Sequence, residues 1–136
     1  MKPVIQKERT GCGFASVAAL AGVSYDRAKA EANRLGIFAE DRKLWSDAKY
    51  VRKLLRNFGV SVAGKEQRFV AWEKLPDRAL LAIKWHLENG TPFWHWVVFA
   101  REGKSLYVLD SKKGLKRNKR SDFGRMKPKW YIRVNS

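Results

Sequence analysis

A ten-residue apolar run that begins with a cysteine constrains the fold of this chain more than any other feature. Residues 12–21, CGFASVAALA, carry no charge and are apolar nearly all round. A helix with this pattern has to be buried on every side, which predicts that it lies at the centre of a domain. Gly22 predicts its end, because glycine readily adopts the left-handed conformation that closes helices.

Two further helices are predicted after this run. Ser24 has the side chain of an N-cap, and the helix after it is expected to end at Gly36. Ser46 is interpreted in the same way as the start of a third helix, with Gly59 after its end. Both segments place apolar side chains at helical spacing, so each is expected to pack one face against the buried run.

Beyond Pro76 the pattern changes to strands. Four strands are predicted, at 79–85, 93–101, 105–110 and 129–134. Asn89-Gly90 and Glu102-Gly103 are turn signals between the first three, and they predict antiparallel neighbours. Residues 112–127 are predicted to form a long basic loop. Residues 1–136 are therefore expected to form a single α+β domain, with N-terminal helices packed on a C-terminal antiparallel sheet.

The net charge of +16 predicts anionic partners. Residues 112–136 contain ten Lys or Arg side chains against one acid, Asp122. An acidic protein or nucleic acid could bind this surface, at 112–129, but a solvated basic face explains the charge as well. No helix-turn-helix, zinc-finger or RNA-recognition signature accompanies it.

The N-terminal residues and the single thiol predict where the protein is located. No apolar stretch of signal-peptide length comes after Met1, and no run approaches the roughly 20 residues that span a bilayer. A single thiol suits a reducing compartment. We therefore expect a cytoplasmic protein without a membrane span.

Cys12 is the candidate nucleophile. As the only cysteine, it can form neither an internal disulfide nor a cysteine-rich metal cluster. In the first turn of a helix, unpaired N–H groups and the positive end of the dipole favour a thiolate, which is the nucleophilic form. Gly11 and Gly13 are expected to leave room for a substrate backbone. The alternative is an inert buried thiol.

His95 is the candidate general base, and Asp110 is the candidate residue that orients it. Alternation along 93–99 places His95 with Val97 and Phe99 on one face, which we expect to lie against the buried helix. Asp110 ends the next strand and could be a cross-strand neighbour of His95. A carboxylate there would hold the imidazole toward the sulfur. His86, in a predicted loop, and Asp122 are weaker rivals for these roles.

Gln6 lies six residues before the cysteine and is the candidate oxyanion donor. Its side-chain amide could donate to an oxyanion together with the backbone N–H of Cys12. Alone, a glutamine in a charged segment means little. With the other three residues it becomes informative.

Three segments resemble the papain-like cysteine peptidases. They are residues 6–25 (QKERTGCGFASVAALAGVSY), 95–99 (HWVVF) and 107–111 (YVLDS). Within that family they are most similar to the small bacterial branch that trims double-glycine leader peptides from bacteriocins. The resemblance implies that Cys12 is the nucleophile, His95 the general base and acid, Asp110 the orienting residue and Gln6 the oxyanion donor. Gly11 departs from the pattern, in which an acidic residue often precedes the cysteine.

The function predicted from these residues is that of a thiol-dependent acyl-transfer enzyme acting on a peptide or protein. Hydrolysis of a peptide or isopeptide bond is the leading outcome, with deamidation and transglutamination left open. No cofactor is expected, and one cysteine with two histidines is a poor ligand set for zinc. The alternative is a basic binding protein of bacterial or phage origin that uses the same scaffold without catalysis.

Overall fold

Three helices precede most of the sheet in a computed structural model that describes residues 1–135 apart from the side chain of Trp45. They are α1 (Cys12–Ala21), α2 (Tyr25–Arg34) and α3 (Lys49–Asn57). The helix α1 has the predicted bounds and closes at Gly22, whose φ is 71°. In the described part of the chain, no helix is long and apolar enough to cross a membrane.

The predicted start of α2 is confirmed, and that of α3 is wrong. The Ser24 side chain accepts a hydrogen bond from the Arg27 N–H, as an N-cap should. Ser46 instead ends a short 3₁₀ turn at Arg42–Ser46. The Asp47 carboxylate accepts from the Lys49 N–H at 2.7 Å, so the acid just after Ser46 satisfies the first turn of α3.

Among residues 1–135, the sheet has seven antiparallel strands. They are β1 (Ser61–Val62), β2 (Gln67–Arg68), β3 (Arg78–Glu88), β4 (Thr91–Glu102), β5 (Ser105–Leu109), β6 (Lys119–Arg120) and β7 (Trp130–Asn135). Their order is β1-β7-β3-β4-β5-β6, and β2 also pairs with β7. The four predicted strands correspond to β3, β4, β5 and β7. The α+β prediction is therefore confirmed.

The two faces of the sheet bury different groups of side chains. The face of β4 that carries Trp94, Trp96 and Val98 packs in one cluster with the three helices. Val97 and Phe99 lie in a second cluster, covered by the short turns around Trp72–Lys74 and Phe123–Arg125. The face that carries His95 is thus opposite to the helices, and the expectation that it lies against α1 is wrong. The large indoles fill the helix side instead.

The predicted basic loop at 112–127 has structure of its own. It contains β6 and the 3₁₀ turn Phe123–Arg125. Met126, which is 3% exposed, packs with Phe123 against the second face of the sheet. The segment therefore closes the core on that side of the sheet.

Candidate active site

The Cys12 sulfur lies beside β4, at a point where β5 no longer pairs with that strand. The last pair between β4 and β5 joins Val98 to Leu109. Two residues before Val98, the N–H of Trp96 donates to Cys12 Sγ at 3.4 Å. The start of α1 thus meets β4 just past the end of β5. This position explains how His95 reaches the sulfur although it belongs to the other face.

His95 and Asp110 are joined by a short hydrogen bond. His95 Nε2 lies 2.8 Å from Asp110 Oδ1, with 14% of the histidine side chain and none of the aspartate exposed. The strand register places Asp110 level with Val97, so it is a diagonal neighbour of His95 rather than directly opposite. Because Nε2 bonds the carboxylate, Nδ1 is the ring nitrogen left for the Cys12 side chain, with which His95 also interacts.

The environment favours a protonated His95. Burial disfavours the imidazolium, but the hydrogen bond to Asp110 and the interactions with Cys12 outweigh burial and raise the pKa of His95 from 6.5 to about 9. Burial likewise opposes ionisation of Asp110. Its hydrogen bonds, first with His95, nevertheless hold the pKa of Asp110 well below its usual range. The pair is therefore an imidazolium with a carboxylate at neutral pH.

Arg120 is a residue of the site that was not predicted from the sequence. Its Nη1 donates to Asp110 Oδ2 at 2.9 Å, while Nε and Nη2 donate to the two oxygens of Asp122 at 2.9 and 2.7 Å. Asp122, the weaker candidate for the orienting acid, bonds Arg120 instead of a histidine. The sequence signal that could have identified Arg120 is Asp122, the one acid in a basic segment, which lies two residues after this arginine.

The Lys112 backbone completes the environment of Asp110. Its N–H donates to Asp110 Oδ1 at 3.1 Å. Asp110 thus accepts from His95, Arg120 and this N–H, and both of its oxygens are bonded. A buried carboxylate with these partners has a fixed orientation.

Gln6 is buried next to the loop that enters α1. Its Nε2 donates to the carbonyls of Glu8 and Arg9 at 3.0 and 3.1 Å, and its Oε1 accepts from the Ser111 hydroxyl at 2.7 Å. The two amide hydrogens are therefore engaged by backbone carbonyls. Its role as an oxyanion donor stays a prediction.

The glycines on either side of Cys12 make room for tyrosines. A methyl group at Gly11 would overlap the hydroxyl of Tyr25, and one at Gly13 would overlap that of Tyr50. The expectation that these glycines leave space for a substrate is thus replaced by a packing reason. Tyr25 and Tyr50 are each 4% exposed and lock the start of α1 in place.

His86 lies in a more exposed environment than His95. It is exposed, and its Nδ1 donates to the Lys84 carbonyl at 2.9 Å. The register of β3 shifts between Ile83 and His86, so this bond holds a bulge. Its other ring nitrogen lies 3.5 Å from Glu88.

A comparison with solved structures finds this fold in a peptidase. One match is the crystal structure of a double glycine motif protease from an AMS/PCAT transporter in complex with the leader peptide. The two chains are 23% identical, over 98% of this chain and 89% of the other, with a TM-score of 0.61. The fold is papain-like. No protein-family model matches the sequence. A comparison with curated proteins also finds no match.

A cavity of about 580 Å³ opens beside Cys12 and His95. These two residues line it together with Gln6, Phe93 and Trp94. Cys12 is only 4% exposed, so a reagent has to enter the cavity to reach the sulfur. Within residues 1–135, no group of three or more His, Cys, Asp or Glu side chains could hold a metal ion.

Proposed function

We propose that this protein is a cysteine peptidase-like hydrolase in which Cys12, His95 and Asp110 form a catalytic triad. The observation that carries the proposal is the placement of the His95 ring between the Cys12 side chain and the buried Asp110 carboxylate, with Nε2 2.8 Å from Oδ1. A nucleophile, a base and a group that orients the base are the three parts that covalent acyl transfer needs.

The reaction begins with a thiolate and an imidazolium. The sulfur of Cys12 attacks the substrate carbonyl carbon, a C–S bond forms, and the carbonyl electron pair moves to the oxygen. Collapse of this intermediate breaks the C–N bond, and His95 gives its proton to the leaving amine. Water then attacks the acyl-enzyme while His95 takes a proton from it, and the thiolate leaves. The carboxylic acid product is released.

The oxyanion would be stabilised by the backbone N–H of Cys12 and by the Gln6 amide. Both hydrogens of that amide are bonded to the carbonyls of Glu8 and Arg9. Donation to the oxyanion would therefore exchange one of these bonds during the reaction. Each such donor contributes about 2.7–4 kcal/mol in the transition state.

The substrate is proposed to be a peptide or protein. The cavity has room for a short extended peptide segment, and the solved protease of the same fold is in complex with a leader peptide. Peptides with two consecutive glycines are thus the first substrates to assay. Deamidation and transglutamination use the same acyl-enzyme, and analysis of the products by mass spectrometry separates them from hydrolysis.

Alkylation of Cys12 tests the proposed pair. At about pH 6, where an ordinary thiol is almost entirely protonated, iodoacetamide should modify the wild-type protein readily. The His95→Ala variant should react at least about tenfold more slowly, because it lacks the imidazolium that stabilises the thiolate. His86→Ala removes the other histidine and is the matched control, with an expected rate close to wild type.

Two results would contradict the proposal. One is equal alkylation of the wild type and His95→Ala at about pH 6. The other is hydrolysis of peptides that persists in Cys12→Ser. The first result would favour a basic protein that binds an acidic partner on the same scaffold without catalysis.

A further inference from the structure

Three lysines line the Cys12 cavity with no carboxylate within ion-pair distance among the described residues. They are Lys84, Lys112 and Lys113. The acids on the same rim are engaged elsewhere, since Glu8 pairs with Lys29 and Glu88 faces Arg42 and His86. The wall of the cavity beside the Cys12 sulfur therefore carries three lysines without a direct ion pair among residues 1–135, and Asp110, the acid that acts on Lys84, is itself bonded to His95 and Arg120.

Lys84 and Lys112 face each other across this wall. Lys84 is an exposed residue whose pKa is lowered, first by partial burial of its ammonium group and then by the nearby Lys112 ammonium, while the Asp110 carboxylate acts in the opposite direction. Two ammonium groups in proximity repel each other, and in water they would move apart. An anion placed between them would remove the repulsion and gain two charge-assisted hydrogen bonds.

The backbone holds both lysines close to the triad. Lys84 lies in the bulge of β3, directly after Ile83, which pairs with His95. Its φ of 55° lies in the left-handed region, which is sterically unfavourable for a residue with a long side chain. Lys112 is bonded through its own N–H to Asp110.

The strained backbone conformation of Lys84 is an argument that its side chain has a binding role. Asparagine or glycine would adopt this backbone conformation with less strain, and neither has a cation to present to the cavity. Strained residues are concentrated at binding and catalytic sites. The position of Lys84, between a bulge and the cavity of Cys12, fits that pattern.

We propose that Lys84 and Lys112 form an anion subsite that binds an aspartate or glutamate side chain of the peptide substrate, beside the bond that is cleaved. This inference rests on the proposed function, because it assigns the ligand of the same cavity. The ligand is assigned as a peptide carboxylate because the two lysines and the Cys12 sulfur line one cavity, so a peptide that reaches the sulfur also lies against the lysines.

Two alkylating reagents that differ in charge test the subsite without a known substrate. Iodoacetate carries a carboxylate, and iodoacetamide is its neutral counterpart. In the wild type, the ratio of the iodoacetate rate to the iodoacetamide rate should be higher at low salt than at high salt. In the Lys84→Gln/Lys112→Gln double variant, this ratio should fall about fivefold or more.

A matched double variant controls for the loss of two charges. Lys53 and Lys104 are exposed and do not line the cavity. The Lys53→Gln/Lys104→Gln protein should keep the wild-type ratio within about twofold, because neither lysine lines the cavity and charges at exposed positions are screened by salt. Equal ratios in the wild type and in both double variants would overturn the subsite.

The outcomes separate this inference from the proposed function. If Cys12 reacts no faster in the wild type than in His95→Ala, the proposed function fails and the subsite fails with it. If the reaction depends on His95 but the reagent ratio is insensitive to Lys84 and Lys112, the subsite alone fails. A substrate peptide completes the test, since exchange of Glu for Gln beside the cleaved bond should raise KM in the wild type and have less effect in the double variant.

Lys84→Gly tests the subsite in a protein that keeps its fold. Glycine adopts a positive φ without a steric penalty, so the Tm should be at least that of the wild type. The reagent ratio should nevertheless fall, because one cation of the pair is lost. A lowered ratio with an unchanged or higher Tm supports a binding role, and an unchanged ratio overturns it.

Discussion

The raised pKa of His95 predicts different pH profiles for hydrolysis and for alkylation of Cys12. In the proposed mechanism its imidazolium protonates the leaving amine, and its pKa is raised to about 9. Hydrolysis should therefore decline as the pH rises through about 9, where this proton is lost. Alkylation by iodoacetamide needs a thiolate but no proton donor, so its rate should not decline there. Parallel pH profiles of the two reactions check this, and a shared decline above pH 9 would contradict the role of His95 as acid.

Arg120 is predicted to be a positioning residue that acts through Asp110. Arg120→Met removes a hydrogen bond to a buried carboxylate, which should cost about 1–3 kcal/mol in the free energy of unfolding. The kcat for hydrolysis should fall about tenfold, because Asp110 is less well held. The alkaline limb of the pH profile should move to higher pH, since loss of a nearby cation favours the His95 imidazolium.

Arg117→Met is the control for this prediction. Arg117 is exposed and lies three residues earlier in the same basic segment. Its replacement should leave the unfolding free energy and the pH profile near wild type. If Arg120→Met lowers stability without any shift of the alkaline limb, Arg120 is a structural residue only.

At the scale of elements, the position of α1 depends on Gly13, the glycine that follows Cys12. Gly13→Ala would place a methyl group on the Tyr50 hydroxyl, and such overpacking should cost about 1–3 kcal/mol. Tyr50→Phe removes the hydroxyl but keeps the ring, so the double variant should lose less stability than the sum of the single variants. Denaturant unfolding measures all three. Gly64→Ala is the control, because no atom lies within 4 Å of the methyl group it would add. Strictly additive losses would contradict this packing.

The helices and long strands were predictable from local patterns. Residues 12–21 are apolar nearly all round, and they form α1. Ser24 has a side chain typical of an N-cap, and it is the N-cap of α2. Strands β1, β2 and β6 have two residues each, too short for any alternation to show. The start of α3 was misplaced because serine and aspartate are both favoured at helix starts, and in the fold Ser46 ends the 3₁₀ turn while the Asp47 carboxylate bonds the Lys49 N–H.

The parts of the site that join distant segments were the least predictable. The face of β4 was assigned incorrectly because both of its faces are apolar, so alternation shows which residues share a side but not which side meets the helices. The bond from Arg120 to Asp110 depends on how the 112–127 segment folds back, which no local pattern indicates. His95 and Asp110 were chosen as candidates because each lies near an end of a predicted strand.

For the whole molecule, the His95 site links stability to pH. The pKa of His95 is about 9 in the folded chain and about 6.5 in an unfolded one. A raised pKa stabilises the fold below about pH 6.5, and this contribution is lost as the pH rises to about 9. It amounts to about 3 kcal/mol. The difference in unfolding free energy between wild type and His95→Ala should therefore shrink over this interval, and a constant difference would contradict the raised pKa.

The basic surface is partly engaged within the protein. Lys119 lies 4.1 Å from the centre of the Tyr107 ring, Lys129 lies 4.5 Å from that of Trp85, and Arg120 holds two aspartates. These residues of the 112–129 segment thus have structural contacts. Binding of an acidic protein or nucleic acid by the remaining charges stays a prediction, and retention on nucleic acid with a steep salt dependence would support it.

An NMR titration of the His95 ring is the decisive measurement for the proposed triad. The chain has two histidines, so the exposed His86 provides an internal reference in the same spectrum. We expect His95 to keep its second proton until about pH 9 in the wild type, and Asp110→Asn and Cys12→Ser each to lower that value. A His95 that titrates together with His86, with no response to either substitution, would contradict the triad.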